Sequence, residues 1–116
     1  MHFQEKALRL KIYVGELDQY QGQPAYKAVV HYLRKEGIWG ATVTKGIYGY
    51  GKRSLVHATS PLRLSSDLPM VIDAVDSEKK IIAALPMLNA IVKDGLITID
   101  EVVVVRNMPS EDVEKK

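Results

Sequence analysis

The clearest chemistry in the chain lies in eight consecutive residues, Gly46-Ile47-Tyr48-Gly49-Tyr50-Gly51-Lys52-Arg53. Glycines let backbone N–H groups approach an anion closely, and Lys52 and Arg53 supply positive charge beside them. Arg63 follows further along the same stretch. Phosphate is the anion such an arrangement suits. The spacing also approaches a phosphate-binding loop: glycine, four residues, glycine, lysine. Arg53 stands where that loop requires Ser or Thr, however. The residues that follow contain Pro61 and no helical stripe, so no helix N-terminus is offered. The plainer alternative is a glycine-bent strand end with solvated basic side chains.

Other candidates are sparse. Histidines stand at 2, 31 and 57, none with a second histidine four residues on, so a helical metal pair is absent. His31 reads as a solvated helix residue, while His57 falls in a long connection, where a functional role fits better. Asp76 reads as a helix cap rather than a catalytic acid. The chain has no cysteine, which removes thiolate nucleophiles, disulfides, thiolate zinc sites and iron–sulfur clusters. No Ser-His-Asp or paired-carboxylate spacing can be argued, so an enzyme is not expected. Ile12 to Leu17 and Lys45 to Tyr50 look like the two motifs with which RNA-recognition domains stack bases. In those domains the second motif sits on the third strand. Here it sits on the second, and the third, Leu68 to Val75, has no aromatic residue.

One small domain must position these residues. The chain has 116 residues, read as a single domain over 1–116 with a core over about 8–106 and a charged tail over 107–116. Its net charge of +2 is too small to argue for nucleic acid or an anionic membrane. The apolar runs Ile81 to Leu85 and Val102 to Val105 fall far short of a bilayer span. Glu5 and Lys6 interrupt the N-terminal stretch, which has no apolar export segment, so a cytoplasmic location without membrane insertion is expected.

Hydrophobic periodicity gives the elements. Lys6 to Val14 alternates, with Leu8, Leu10, Ile12 and Val14 on one side, and reads as a strand. Gly15 to Gln23 reads as a loop. Pro24 opens a helix whose buried residues are Ala25, Ala28, Val29, Tyr32 and Leu33 and whose stop is Gly37. Ala41 to Gly51 reads as the second strand, Lys52 to Asp67 as a long connection, and Leu68 to Val75 as the third strand. Asp76 or Ser77 caps a second helix with Ile81, Leu85, Leu88 and Val92 inward and a kink at Pro86, ended by Asp94-Gly95. Leu96 to Val105 is the fourth strand.

The order βαββαβ predicts an α+β, ferredoxin-like fold: a four-stranded antiparallel sheet with two helices on one face. In that plan the last strand lies at an edge, yet Val102 to Val105 is apolar on both faces. An uncovered edge of this kind is an aggregation hazard, so a second copy of the chain is expected to cover it.

Gly40-Ala41-Thr42-Val43-Thr44 followed by Gly49-Tyr50-Gly51-Lys52-Arg53 resembles the stretch leading into the T-loop of PII signal-transduction proteins. The likeness to a small bacterial PII-like family is closer and covers roughly Leu10 to Arg106. It includes Gly15-Glu16, Leu33-Arg34, Gly37, His57 and Leu64-Ser65-Ser66-Asp67-Leu68-Pro69. The resemblance implies a homotrimer binding ADP or ATP in clefts between subunits, as a ligand and not a catalytic cofactor. It places Thr42 near the adenine, Gly49, Gly51 and Lys52 at the phosphates, and Arg106 reaching across from a neighbour. Tyr50, Arg53, His57 and Gly95 complete the expected set. It further implies action through the loop between the second and third strands on a protein target, such as a membrane transporter or an enzyme. Two alternatives stay open: a trimeric module for another small anion or a metal, as in the CutA family, and an RNA-recognition-like domain.

Overall fold

The computed structural model describes residues 5–51 and 67–107. Its centre is β1 (Glu5–Gly15), which pairs antiparallel on both sides. On one side lies β5 (Pro69–Asp76), with Leu10 opposite Ala74 and Ile12 opposite Ile72. On the other lies β6 (Leu96–Val104), with Ile12 opposite Ile97. The short β4 (Ala41–Lys45) adds to the outer edge of β5, giving the order β4-β5-β1-β6. This is the expected ferredoxin-like sheet, with β4 and β6 as its edges.

Period-two patterning decides the faces. Leu8, Leu10, Ile12 and Val14 of β1 and Met70, Ile72 and Ala74 of β5 point to the covered face and are buried. Two helices, α1 (Ala25–Lys35) and α2 (Glu78–Ile91), lie over that face. They contribute Ala25, Ala28, Val29 and Leu33, then Ile81, Ala84, Leu88 and Ile91, to the same core. Each fully buried aliphatic side chain is worth about 1.5–3 kcal/mol. Tyr32 and Leu85, both expected inside, are only partly buried at the rim. His31 is exposed, as a solvated helix residue should be.

The helix ends follow local chemistry. Ser77 caps α2, its hydroxyl accepting from the Lys80 N–H at 3.3 Å. α2 is continuous through Pro86, which has no N–H to give the Ile82 carbonyl. After α1, the Gly37 N–H donates to the Arg34 carbonyl and the Ile38 N–H to the Leu33 carbonyl. Gly37 has φ +76°, and Ile38 buries itself beside Leu33. Those bonds are a Schellman ending, and they require a residue without a Cβ penalty at that φ.

Two boundaries correct the sequence expectation. The stretch Gly15 to Gln23 is not all loop: β2 (Gln19–Tyr20) and β3 (Gln23–Pro24) form a small hairpin. Gln21 and Gly22 both have positive φ in its turn, a geometry that glutamine does not advertise. The second strand stops at Lys45 rather than Gly51. Thr, Val, Ile and Tyr favour a strand, but the ladder has nothing left to pair with. Gly46 donates to the Pro69 carbonyl at 2.7 Å, Pro69 has no N–H, and the preceding Leu68 carbonyl accepts from Glu16 instead. The expectations on Lys52, Arg53, His57 and Arg63 and on the tail 108–116 lie outside the described residues.

Candidate functional site

The face of the sheet away from the helices carries Thr42 and Thr44, Val71, Asp73 and Val75, Arg9, Lys11 and Tyr13, and Thr98, Asp100 and Val102. Register places Thr42, Asp73, Lys11 and Thr98 in one row across the four strands. Arg9 is committed within this face: its Nη2 donates to Asp100 Oδ2 at 2.9 Å and its Nε to Oδ1 at 3.2 Å. The hydrogen bonds and charge of Asp100 hold the Arg9 guanidinium above its ordinary range. Arg9 is therefore a poor candidate for an incoming anion.

A cleft of about 410 Å³ opens on this side. Thr42 and Asp73 line it, together with Trp39, Arg106 and Asn107 and the apolar Ala74, Val75 and Val104. Two residues singled out from the sequence, Thr42 and Arg106, thus share one cavity. Its chemistry is mixed: a hydroxyl, a carboxylate, a guanidinium, an amide and an indole over small apolar side chains. A carboxylate disfavours phosphate at close range but accepts hydrogen bonds from amino and hydroxyl groups. The donor set fits the base and sugar of a nucleotide better than its phosphates.

Sequence reasoning missed Trp39, which stands at the end of the link from α1 to β4. It also misread Asp76. That carboxylate is 1% exposed, the sole buried charged group among the described residues. Its Oδ2 accepts from the Trp39 N–H at 3.0 Å and its Oδ1 from the Ser77 N–H at 2.6 Å. The cap is Ser77; Asp76 ties the end of β5 to the wall of the cleft. An aromatic residue beside Gly40-Ala41-Thr42 was a visible signal for the first, but nothing local signals the second.

The glycine run lies elsewhere. Gly46 is level with Pro69 and Gly15, and Gly49 stands against the Pro69 ring. Ile47, Tyr48 and Tyr50 are exposed, and Gly51 meets open space. Both roots of the long connection are fastened to the corner after β1. Lys45 Nζ donates to Glu16 Oε2 at 2.9 Å, the Leu17 N–H donates to Asp67 Oδ1 at 3.1 Å, and the Glu16 N–H to the Leu68 carbonyl at 2.8 Å. Gly95 sits at this same end. A Cβ there would collide with the Tyr13 carbonyl oxygen and meet Val92 Cγ1 at 2.6 Å. Close approach of backbones at the start of β6 is therefore the reason for glycine at 95.

Arg106 and the glycine run are thus not brought together. Val104 is level with Glu5, and Gly46 with Gly15. The strand between those levels spans about 33 Å at roughly 3.3 Å per residue. Among the described residues, no group of three or more His, Cys, Asp or Glu side chains could hold a metal ion. No helix among them is long and apolar enough to cross a membrane.

Comparison with known proteins places this architecture. Residues 7–104 match the DUF190 family, described as uncharacterized ACR. A UPF0166 protein of Methanocaldococcus jannaschii is 45% identical over 97 residues, covering 83% of this chain and 89% of that one. A UPF0166 protein of Aquifex aeolicus is 34% identical over 96 residues, covering 83% and 90%. Among solved structures, CPII of Thiomonas intermedia K12, bound to ADP, AMP and acetate, superposes with a TM-score of 0.54 at 19% identity, covering 87% of this chain and 90% of that one. A candidate PII-like signaling protein of Thermus thermophilus gives 0.58 at 18% identity, covering 92% and 94%. The match over nearly the whole described sheet, and the relatives at 45% and 34%, show that the chain belongs to the DUF190 family and has the fold of PII-like proteins.

Proposed function

We propose that this protein is a trimeric PII-like regulator, without catalytic activity of its own, that binds ADP or ATP in clefts between subunits. It acts on a protein target through the connection between β4 and β5. The observation that carries this reading is the separation of two complementary half-sites. The open-face cleft, with Thr42, Asp73 and Arg106, suits a base and sugar. The glycine run, continued in sequence by Lys52 and Arg53, suits phosphates. Arg106 and the glycine run lie toward opposite ends of the sheet, farther apart than a nucleoside diphosphate reaches, while Thr42 stands between them, four residues before Gly46. A neighbouring copy that sets its own glycine run beside this cleft supplies both halves at once. The half-buried valines of β6 and its uncovered edge give such a copy a surface to join. The ligands of CPII are consistent with the nucleotide part of this reading.

Calorimetry with ADP and ATP on wild type, Lys52→Ala and Arg53→Ala tests it. Hydrogen bonds to charged groups are worth about 1.5–3 kcal/mol, so loss of one contact weakens binding about tenfold to a hundredfold. Solvent screening sets the result toward the lower figure. A fall for both nucleotides with the trimer intact supports the site. Unchanged affinity in both variants moves the phosphates elsewhere, and wild type that binds no nucleotide returns the protein to the reading of a module for another small anion.

A further inference from the structure

We propose that the indole of Trp39 is the surface on which the open-face cleft receives a planar heteroaromatic ring, and that the Asp76 carboxylate holds that indole in place. The proposal rests on the nucleotide reading above and specifies how its base is held.

Trp39 is the only tryptophan in the chain and is 42% exposed. An apolar ring of that size is ordinarily turned inward. Trp39 is not exposed through looseness. The link between α1 and β4 is fastened at almost every residue. The Gly37 carbonyl accepts from Lys80 Nζ at 2.8 Å, the Ile38 N–H donates to Leu33, and the Trp39 N–H donates to Asp76. Ala41 then enters the ladder opposite Ala74. The backbone that presents the indole is fixed from three elements.

The space around the indole completes the argument. Trp39 lines the open-face cleft of about 410 Å³ and also a second hollow of about 210 Å³, walled by Val30, Leu33 and Ile38 on the helix side. It stands as a partition with room beside it. In the cleft it is accompanied by groups that read ring and sugar edges, Thr42 and Asp73, and by one cation, Arg106. Base–aromatic stacking tolerates any base because every base has a π-face. The ring is therefore recognised by Trp39 and its identity by the polar neighbours.

Asp76 acts through Trp39 and is a positioning residue. Its two oxygens each accept one backbone N–H, from Trp39 and from Ser77. An asparagine in the same orientation puts an NH2 donor where one of these oxygens accepts, so one of the two backbone N–H groups loses its partner.

A single tryptophan makes the test direct. Intrinsic emission of wild type is followed while ADP, or ribose 5-phosphate as a baseless probe, is titrated. Calorimetry with ADP is run on wild type, Trp39→Ala, Trp39→Phe, Asp76→Asn and Ile91→Val. ADP is expected to change the emission and ribose 5-phosphate to leave it unchanged. Trp39→Ala is expected to lose about tenfold or more in affinity, and Trp39→Phe no more than about threefold. Asp76→Asn is expected to shift the emission of the free protein and to weaken ADP. Ile91→Val, a core trim at the far end of α2, is expected to lose stability with unchanged affinity. ADP that binds wild type and Trp39→Ala equally, with silent emission, overturns the ring contact and leaves the nucleotide reading standing. Unchanged emission and affinity in Asp76→Asn overturn the positioning role. Wild type that binds no adenine nucleotide defeats this proposal together with the reading beneath it.

Discussion

β5 and β6 flank the same strand, and both are rich in valine and isoleucine, yet their fates differ. Every second residue of β5 is buried, from Met70 through Ile72 and Ala74 to Asp76. β6 has no fully buried residue: Leu96, Ile99 and Val103 are exposed, the last by 60%. The cause lies outside the strands. The helices pack principally on β1, β4 and β5, so β6 is left at an edge with only Ile97 reaching the core. Apolar patterning makes a strand, but neighbours decide whether it is interior. β6 has the composition of an inner strand in the position of an outer one, as the proposed joint between copies requires.

Substitutions on the two sides of β1 separate these cases most sharply. Ile72→Ala opens a cavity in a completed core and is expected to cost about 2–5 kcal/mol, read as a lower urea midpoint with unchanged slope. A cost below about 1 kcal/mol would erase the distinction between β5 and β6. Val103→Asp on β6 with Val105→Asp just past its end is the matching change. Both valines are exposed in the single chain, so its own fold is expected to shift by no more than about 0.5 kcal/mol per site. The assembly is expected to fall from trimer to monomer in light scattering at micromolar concentration. Wild type that is already monomeric there, or a variant that stays trimeric, breaks the comparison.

A finer probe uses Tyr32, at the rim of the covered core. Burial, aided by the charge of Glu36, raises its phenol above the usual 10.0. The folded state then holds this proton more tightly than the unfolded chain does. Stability from this group is fully present below pH 10 and is lost as pH rises through the raised folded value. Tyr32→Phe is expected to flatten the urea midpoint between pH 9 and pH 11, the smallest effect of the set. A slope unchanged by the substitution would place the pH dependence elsewhere.

Much of the fold was legible because its signals are local. Alternation in β1 and helical spacing in α1 and α2 each need only their own residues, and Gly37 announced its Schellman ending. The failures are long-range. β4 ends early because of Pro69 and Glu16, which lie far from it in sequence. Asp76 resembled a cap because its neighbours in sequence are a helix start, while its second partner, Trp39, is 37 positions away. The site divides the same way. Thr42 and Arg106 meet in one cleft, but the glycine run was chosen by local chemistry, and only register reveals how far it stands from Arg106.

The stapled corner after β1 has a consequence for how this domain tolerates change. Lys45, Gly46, Asp67 and Leu68 are fastened to Glu16, Leu17 and Pro69 within one small neighbourhood. The two described ends of this connection, Gly46 and Asp67, stand at nearly the same point beside the corner after β1. For a flexible insert between two such fixed ends, closure entropy grows only logarithmically, each doubling of length costing about 0.6 kcal/mol. The domain is expected to act as a socket, keeping the register of the sheet below when a segment of different length is exchanged at this position.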